Sequence, residues 1–339
     1  MNVFITGGCG FIGSHLAERL LDRGDRVQVL DDLSTGSMQN IAHLIGRPDF
    51  AYRIGSALDP AIVSELVDSA DVTVHLAAAV GVRLIVERPV HTIETNVRAT
   101  EVVLGAAAKK KKLVVIASTS EVYGKSTSIP FREEQDLQLG PTSHSRWAYA
   151  CSKALDEWLA LAYWHERGVP VIITRFFNTV GPRQTGQYGM VVPSFAAQAV
   201  RGEPITVYGS GEQARCFGHV RDTIEALLRL IATPAAVGQV FNIGATEEIS
   251  IRGLAERVRA AAGSQSDIVM VPYSEAYAAG FEDMMRRVPD VTKLERVTGF
   301  RPLTSLEVIV NDVVADQQMR LDATAGTGVR TLAGAASRH

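Results

Sequence analysis

The sequence predicts an α/β fold: a doubly wound parallel sheet with a smaller, irregular C-terminal lobe. Three observations carry this. Short apolar runs alternate with amphipathic helical stretches over the first half of the chain, the signature of parallel strands joined by crossover helices. A glycine-rich turn follows the first run. The alternation then breaks down beyond residue 177, where proline and glycine interrupt the pattern.

The first strand spans residues 2–6 and leads into Gly7-Gly8-Cys9-Gly10-Phe11-Ile12-Gly13, after which residues 14–23 have a helical pattern. Glycines at 7, 10 and 13 permit a tight turn, close backbone approach to a pyrophosphate and close helix packing. The helix N-terminus offers free N–H groups to phosphate. Because it follows a strand and opens a helix, the motif reads as a Rossmann dinucleotide fingerprint, Phe11 and Ile12 included. A second strand, 26–30, ends in Asp31 and Asp32. An acid about 20 residues past the glycines binds a ribose 2′-hydroxyl and repels the phosphate of NADP, so NAD is the expected cofactor. A strand at 51–54 ends in Gly55-Ser56-Ala57, an adenine contact. The strand at 71–78 exits through Leu76, Ala77 and Ala78, small enough at the last two for a cofactor to lie close; His75 reads as structural. A helix covers about 89–110 and contains Asn96. Its C-terminal run Lys109-Lys110-Lys111-Lys112 answers the helix dipole rather than nucleic acid.

The apolar run 113–117 is a buried parallel strand followed by Ser118-Thr119-Ser120-Glu121-Val122-Tyr123-Gly124. Thr119, Ser120 and Glu121 therefore sit at a strand's carboxyl end, where open α/β sheets bind ligands. Tyr149-Ala150-Cys151-Ser152-Lys153 opens a helix ending near His165. Four residues apart, Tyr149 and Lys153 share a helix face. A lysine cation there is expected to lower the phenol's pKa from about 10 and make Tyr149 a general base, with Thr119 holding a substrate alcohol toward it. A lone Tyr-x-x-x-Lys is an ordinary surface pair; the glycine fingerprint upstream reverses that reading.

Past a strand at 170–176, the segments 178–219 and 264–320 form the lobe, while the helix at 220–233 and strand at 240–244, within 220–263, return to the dinucleotide domain of residues 1–177. Arg183, Arg215, Arg221, Arg286 and Arg287 lie in or beside the lobe, where guanidinium groups suit a diphosphate or carboxylate. Residues 321–339, rich in Ala, Gly and Thr, read as a mobile tail. The 339 residues are 46% hydrophobic and 21% charged with net charge −3, ample for a core and without a signal for nucleic acid or membrane surface. Three cysteines, Cys9, Cys151 and Cys216, show neither metal spacing nor a disulfide framework, so a cytoplasmic protein without metal is expected. Met1 leads straight into the first strand, leaving no room for a signal peptide, and no apolar run approaches the roughly 18 residues of a membrane span.

The glycine fingerprint, Tyr149-Ala150-Cys151-Ser152-Lys153 and Arg175-Phe176-Phe177-Asn178 together resemble the extended short-chain dehydrogenase/reductases that act on nucleotide sugars, over about residues 1–318. That group includes 4-epimerases, 4,6-dehydratases and glucuronate decarboxylases, all of which first oxidise the sugar at C4 with tightly held NAD. Within it, Thr119-Ser120-Glu121 is similar to UDP-glucuronate decarboxylases, although GDP-mannose dehydratases share it. Arg146-Trp147-Ala148-Tyr149 and the stretch from Gly280-Phe281-Glu282-Asp283 to Arg287-Val288-Pro289-Asp290 resemble the decarboxylase that serves lipid A aminoarabinose synthesis. The resemblance implies that the lobe binds a UDP-sugar. It makes Arg287 an active-site residue and places Asn178, Val192, Tyr208 and Arg215 on the substrate. It adds Leu76, Asn96 and Phe176 to the cofactor site.

The implied reaction is NAD-dependent decarboxylation of UDP-glucuronate to UDP-xylose or the 4-keto pentose, with Ser120, Glu121 and Arg287 around C5. A nucleotide-sugar 4-epimerase, a 4,6-dehydratase and a non-catalytic NAD-sensing protein are the rivals; CO2 release, water loss and the intact Thr119, Tyr149 and Lys153 separate them. The helices at 89–110 and 146–165 carry apolar stripes, including Trp158, Leu159, Ala162 and Tyr163. In the resembled family such helices pair about a two-fold axis, so a homodimer is expected.

Overall fold

A computed structural model describes residues 1–81, 85, 87–186, 190–276 and 284–335. Strands β1 (Asn2–Thr6), β2 (Arg26–Asp31), β3 (Phe50–Ile54), β4 (Val72–His75), β5 (Leu113–Thr119) and β6 (Val171–Phe176) form a parallel sheet with the late strand Gln239–Ile243. The order is Gln239–Ile243, β6, β5, β4, β1, β2, β3. The chain reverses its direction of winding between β1 and β4, so the crevice of a doubly wound sheet opens there. Alternation along each strand supplies two cores. Val3 and Ile5 face one side with Leu16, Leu20 and Leu227. Phe4 faces the other with Val67, Leu104 and Ala160. Both faces are buried, which is why these strands read as continuous apolar runs.

The lobe has its own core, in which Phe195, Ala199, Val207, Leu254, Val258 and Ile309 meet. It corrects the expected boundary. Glu248–Ser250 pairs antiparallel with Ala214–Cys216, and helix Ile251–Ala261 turns Ile251, Leu254, Ala255 and Val258 into the lobe. Residues 248–261 thus side with the lobe, because spacings of three and four residues place one apolar stripe on that face. The final helix runs Leu306–Ala335, where the sequence reading has a tail from Leu321. Alanine is a strong helix former and carries the pattern onward. Of the four lysines, Lys109 bonds Ser64 at 2.7 Å and Lys110 pairs with Asp68 at 3.0 Å, both at the surface. Among the described residues, no helix is long and apolar enough to cross a membrane.

Candidate active site

β5 delivers the first site residues. Its end residue Thr119 accepts a hydrogen bond from the Glu121 N–H at 3.2 Å, capping a single 3-10 turn, Ser120–Tyr123. Gly124 closes that turn at φ 60°, where a Cβ would lie 2.3 Å from the Gln138 carbonyl oxygen. The turn is also pinned from below. Arg175 makes a bidentate pair with Glu157 at 2.7 and 2.9 Å, Ser118 donates to the same carboxylate, and the Arg175 guanidinium lies 4.7 Å from the Tyr123 ring centre. The Tyr123 hydroxyl donates to Asn242 at 2.7 Å, and burial pushes its pKa up to about 12.

Helix Arg146–Arg167 crosses this strand end and turns Tyr149 and Lys153 inward, both buried. Tyr149 hydrogen-bonds Thr119. The expectation for the base needs correction, however. Tyr149 is held above the ordinary phenol range, first by burial and next by the negative charge of Glu121. The Lys153 ammonium meanwhile donates to Asp156 Oδ2 at 2.7 Å. In this state the phenol is protonated, and a further cation beside it would favour the phenolate and so the base.

Glu121 faces two buried arginines, with Oε1 3.7 Å from Arg287 Nη1 and 4.0 Å from Arg146 Nη2. Arg287 also reaches Ser120 Oγ at 3.5 Å. It is placed there by a short strand, Arg286–Arg287, pairing parallel with Ala214–Cys216. Asp290, three residues further on, pairs with Arg132 at 3.1 Å. Asp283 and the stretch 280–283 lie outside the described residues.

One cleft of about 1650 Å³ joins these groups to the glycine turn. Its wall includes Gly7, Gly10, Phe11, Ile12, Gly13, Asp31, Asp32, Ser56, Ala57, Leu76, Ala77, Ala78 and Phe176 at one end, and Asn178, Val192, Tyr208, Arg215 and Arg287 at the other, with Thr119, Ser120, Glu121, Tyr149 and Lys153 between. The volume exceeds the roughly 300–1,000 Å³ of a pocket for one drug-sized ligand and suits two extended ones. Asn96 does not line it. Its amide instead accepts from Ala79 N–H at 2.8 Å and donates to Ser152 Oγ at 3.1 Å, bracing the wall from behind. Of the other arginines, Arg183 lines the cleft, whereas Arg221 pairs with Asp312 and Arg286 with Glu248. Arg146, beside Glu121, is a lining residue that the sequence reading does not assign to the site. Its place three residues before Tyr149, on the same helix face, is the signal that identifies it.

The glycine end fits a dinucleotide. Gly7 has φ 73°, and a Cβ there would lie 2.9 Å from the Ala77 nitrogen; one on Gly13 would lie 2.2 Å from the Gly7 oxygen. The helix Phe11–Asp22 begins at Gly10 against the cleft. Asp31 is fixed at the rim by the N–H groups of Cys9 at 2.9 Å and Leu33 at 2.8 Å. Burial raises its pKa, opposed by those bonds.

A family model described as GDP-mannose 4,6 dehydratase matches residues 4–313. The chain belongs to this family. Among the family's curated relatives, the UDP-N-acetyl-alpha-D-glucosaminuronate decarboxylase of Bacillus cytotoxicus is 44% identical over 305 residues, 89% of this chain and 93% of that protein. UDP-glucuronic acid decarboxylase 1 of Xenopus tropicalis is 35% identical over 92% of this chain and 71% of that protein. A solved dTDP-glucose 4,6-dehydratase of Streptomyces venezuelae with NAD bound superposes with TM-score 0.85 at 29% identity, covering 94% and 97% of the two chains. The family membership agrees with the expected fold and with the expected class of nucleotide-sugar enzymes.

Proposed function

We propose that this chain is an NAD-dependent UDP-glucuronate decarboxylase. The observation that carries the reading is the Glu121–Arg287 pair, 3.7 Å apart and beside Tyr149, because oxidation at C4 alone requires neither group. The two decarboxylase relatives support it, as does the NAD-bound neighbour for the cofactor. NAD would lie on Gly7, Gly10, Gly13 and the first helix N-terminus, with Asp31 toward the ribose; when bound it supplies the hydride acceptor and a positive charge near the phenol.

The chain's own residues do the remainder. Tyr149 takes the proton of the sugar 4-hydroxyl as the C4 hydrogen departs as hydride, and Thr119 hydrogen-bonds the same oxygen. The resulting β-keto acid breaks its C5–carboxylate bond, the electron pair flows to the C4 carbonyl, and CO2 leaves. Tyr149, now protonated, and Thr119 stabilise the enolate oxygen. Ser120, Glu121 and Arg287, or a water they hold, return a proton to C5. Arg287 also offsets the charge of Glu121 so that a carboxylated sugar enters. Asn178, Val192, Tyr208 and Arg215 form the far wall for the UDP portion.

The 44% relative favours a second substrate, the 2-acetamido sugar of the same acid. Epimerisation and dehydration have weaker support, from neighbours below 30% identity. Incubation with both UDP-uronates and with UDP- and dTDP-glucose, followed by product mass, tests the reading. A loss equal to CO2 from a uronate supports it. An unchanged mass with inverted C4, or loss of water from a hexose, contradicts it. The assembly is a homodimer, for which the exposed apolar side chains on the two stripe helices are the support. The location is the cytoplasm, consistent with three free thiols.

A further inference from the structure

We propose that Asp156 is a positioning residue that holds the Lys153 ammonium and offsets its charge, thereby setting the pH range in which Tyr149 gives up its proton. This rests on the reading that Tyr149 is the base.

The geometry is local and unusual in its burial. Lys153 Nζ lies 2.7 Å from Asp156 Oδ2 within one helix turn, and the side chains are 3% and 0% exposed. Lys153 lines the cleft; Asp156 stands one turn behind. A buried lysine with no counter-ion acts on a neighbouring phenol as a full positive charge, and in a poorly screened site that favours the phenolate strongly. A carboxylate bonded to the same ammonium makes the pair nearly neutral at the phenol's distance. Asp156 thus has two effects: it fixes where the ammonium sits and weakens its pull on the Tyr149 proton. A purely structural lysine–aspartate bond would do the first without mattering to the second.

The surroundings leave few other groups for either task. From the β5 turn, Thr119 bonds the phenol and Glu121 opposes its ionisation; Arg287 from the lobe favours it. On the same helix, Arg146 pairs with Glu121, and Glu157 is taken up by Arg175. Thr100, from the Pro89–Ala108 helix, faces Asp156. His75, from β4, is neutral: burial, and then the Lys153 charge, pull its pKa down to about 3. Asp156 is the acid bonded directly to the lysine, and burial raises its own pKa against the opposing ammonium.

The test uses Asp156→Asn, nearly isosteric, with Asp156→Ser as a second variant in case the first folds poorly and Asp156→Glu as the rescue. Two readouts are taken against pH. One is the proton released when NAD binds, measured by calorimetry in two buffers, with Tyr149→Phe as the control that removes the release. The other is single-turnover formation of NADH with UDP-glucuronate. Removing the carboxylate is expected to shift both curves to lower pH by about one unit, roughly tenfold in the ionisation constant, while Asp156→Glu keeps the wild-type curves. In a Lys153→Met background the same change at Asp156 should give a clearly smaller shift, because only its direct repulsion of the phenolate remains. Unshifted curves in both the Asn and Ser variants, or an equal shift with Met at 153, would overturn the proposal. A protein that binds NAD and shows the shifted proton release, but makes no NADH from any uronate, would keep this assignment and defeat the substrate reading instead.

Discussion

Tyr149 begins as a protonated phenol, bonded to Thr119 and held above its ordinary range by burial and Glu121. Tyr149→Phe keeps the ring and loses the proton acceptor, so oxidation of UDP-glucuronate should slow by a factor on the order of 100 or more while NAD affinity is retained. Formation of NADH at the wild-type rate would remove Tyr149 from the role of base. Glu121 and Arg287 separate decarboxylation from simple oxidation. Glu121→Ala and Arg287→Ala should still bind NAD and UDP-sugar, by calorimetry, yet lose most CO2 release; wild-type release in both would refute their assignment. Tyr149, Lys153, Thr119 and Glu121 are legible in the sequence because strand end and helix face follow from local spacing. The direction in which Lys153 turns is not, since Asp156 competes for it and only packing decides that contest. Arg287 is legible by resemblance alone: its approach to Glu121 depends on a two-residue strand pairing that no local pattern announces.

At the scale of elements, β1 and β4 are joined by more than the backbone ladder. The Thr6 hydroxyl accepts from Ala77 N–H at 3.1 Å and shares a hydrogen bond of 2.7 Å with His75 Nδ1. Burial keeps His75 neutral in the fold, with its pKa near 3, whereas the unfolded chain takes up the proton near 6.5. The sign follows: the fold is at full advantage above about pH 6.5 and loses stability as pH falls from there toward 3. The urea midpoint of the wild type should drop between pH 7 and pH 5, and His75→Gln should show a smaller drop; equal drops would show that His75 does not titrate as described. The strands themselves are readable from their apolar runs because both faces of the sheet are covered. Helix Ile251–Ala261 is harder to place, since its stripe of Ile251, Leu254 and Val258 fits either core and the pairing of Glu248–Ser250 with Ala214–Cys216 decides.

At the scale of the whole molecule, the sheet and lobe close on one cleft, and the two stripe helices, which line it with Tyr149 and Thr95, pack on one face of the sheet. Leu159 and Tyr163 of the Arg146–Arg167 helix pack toward the sheet, whereas Trp158 and Leu155 are 61% and 44% exposed, and Val90 and Ile93 on the Pro89–Ala108 helix are exposed as well. Burying such a face stabilises a pair of copies, so light scattering at micromolar concentration should give a dimer and Trp158→Arg a monomer; a wild-type monomer would show that the face stays in water. The doubly wound architecture is legible because strand–helix alternation is a local signal. The sides taken by the last helices are not, because they depend on contacts between distant segments. The central claim is that this cleft removes CO2 from a UDP-uronate oxidised at C4, and carboxyl-labelled UDP-glucuronate tests it directly. With NAD present, labelled CO2 should appear in step with a UDP-pentose or its 4-keto form. Consumption of the sugar with the label retained, and C4 inverted, would contradict the account.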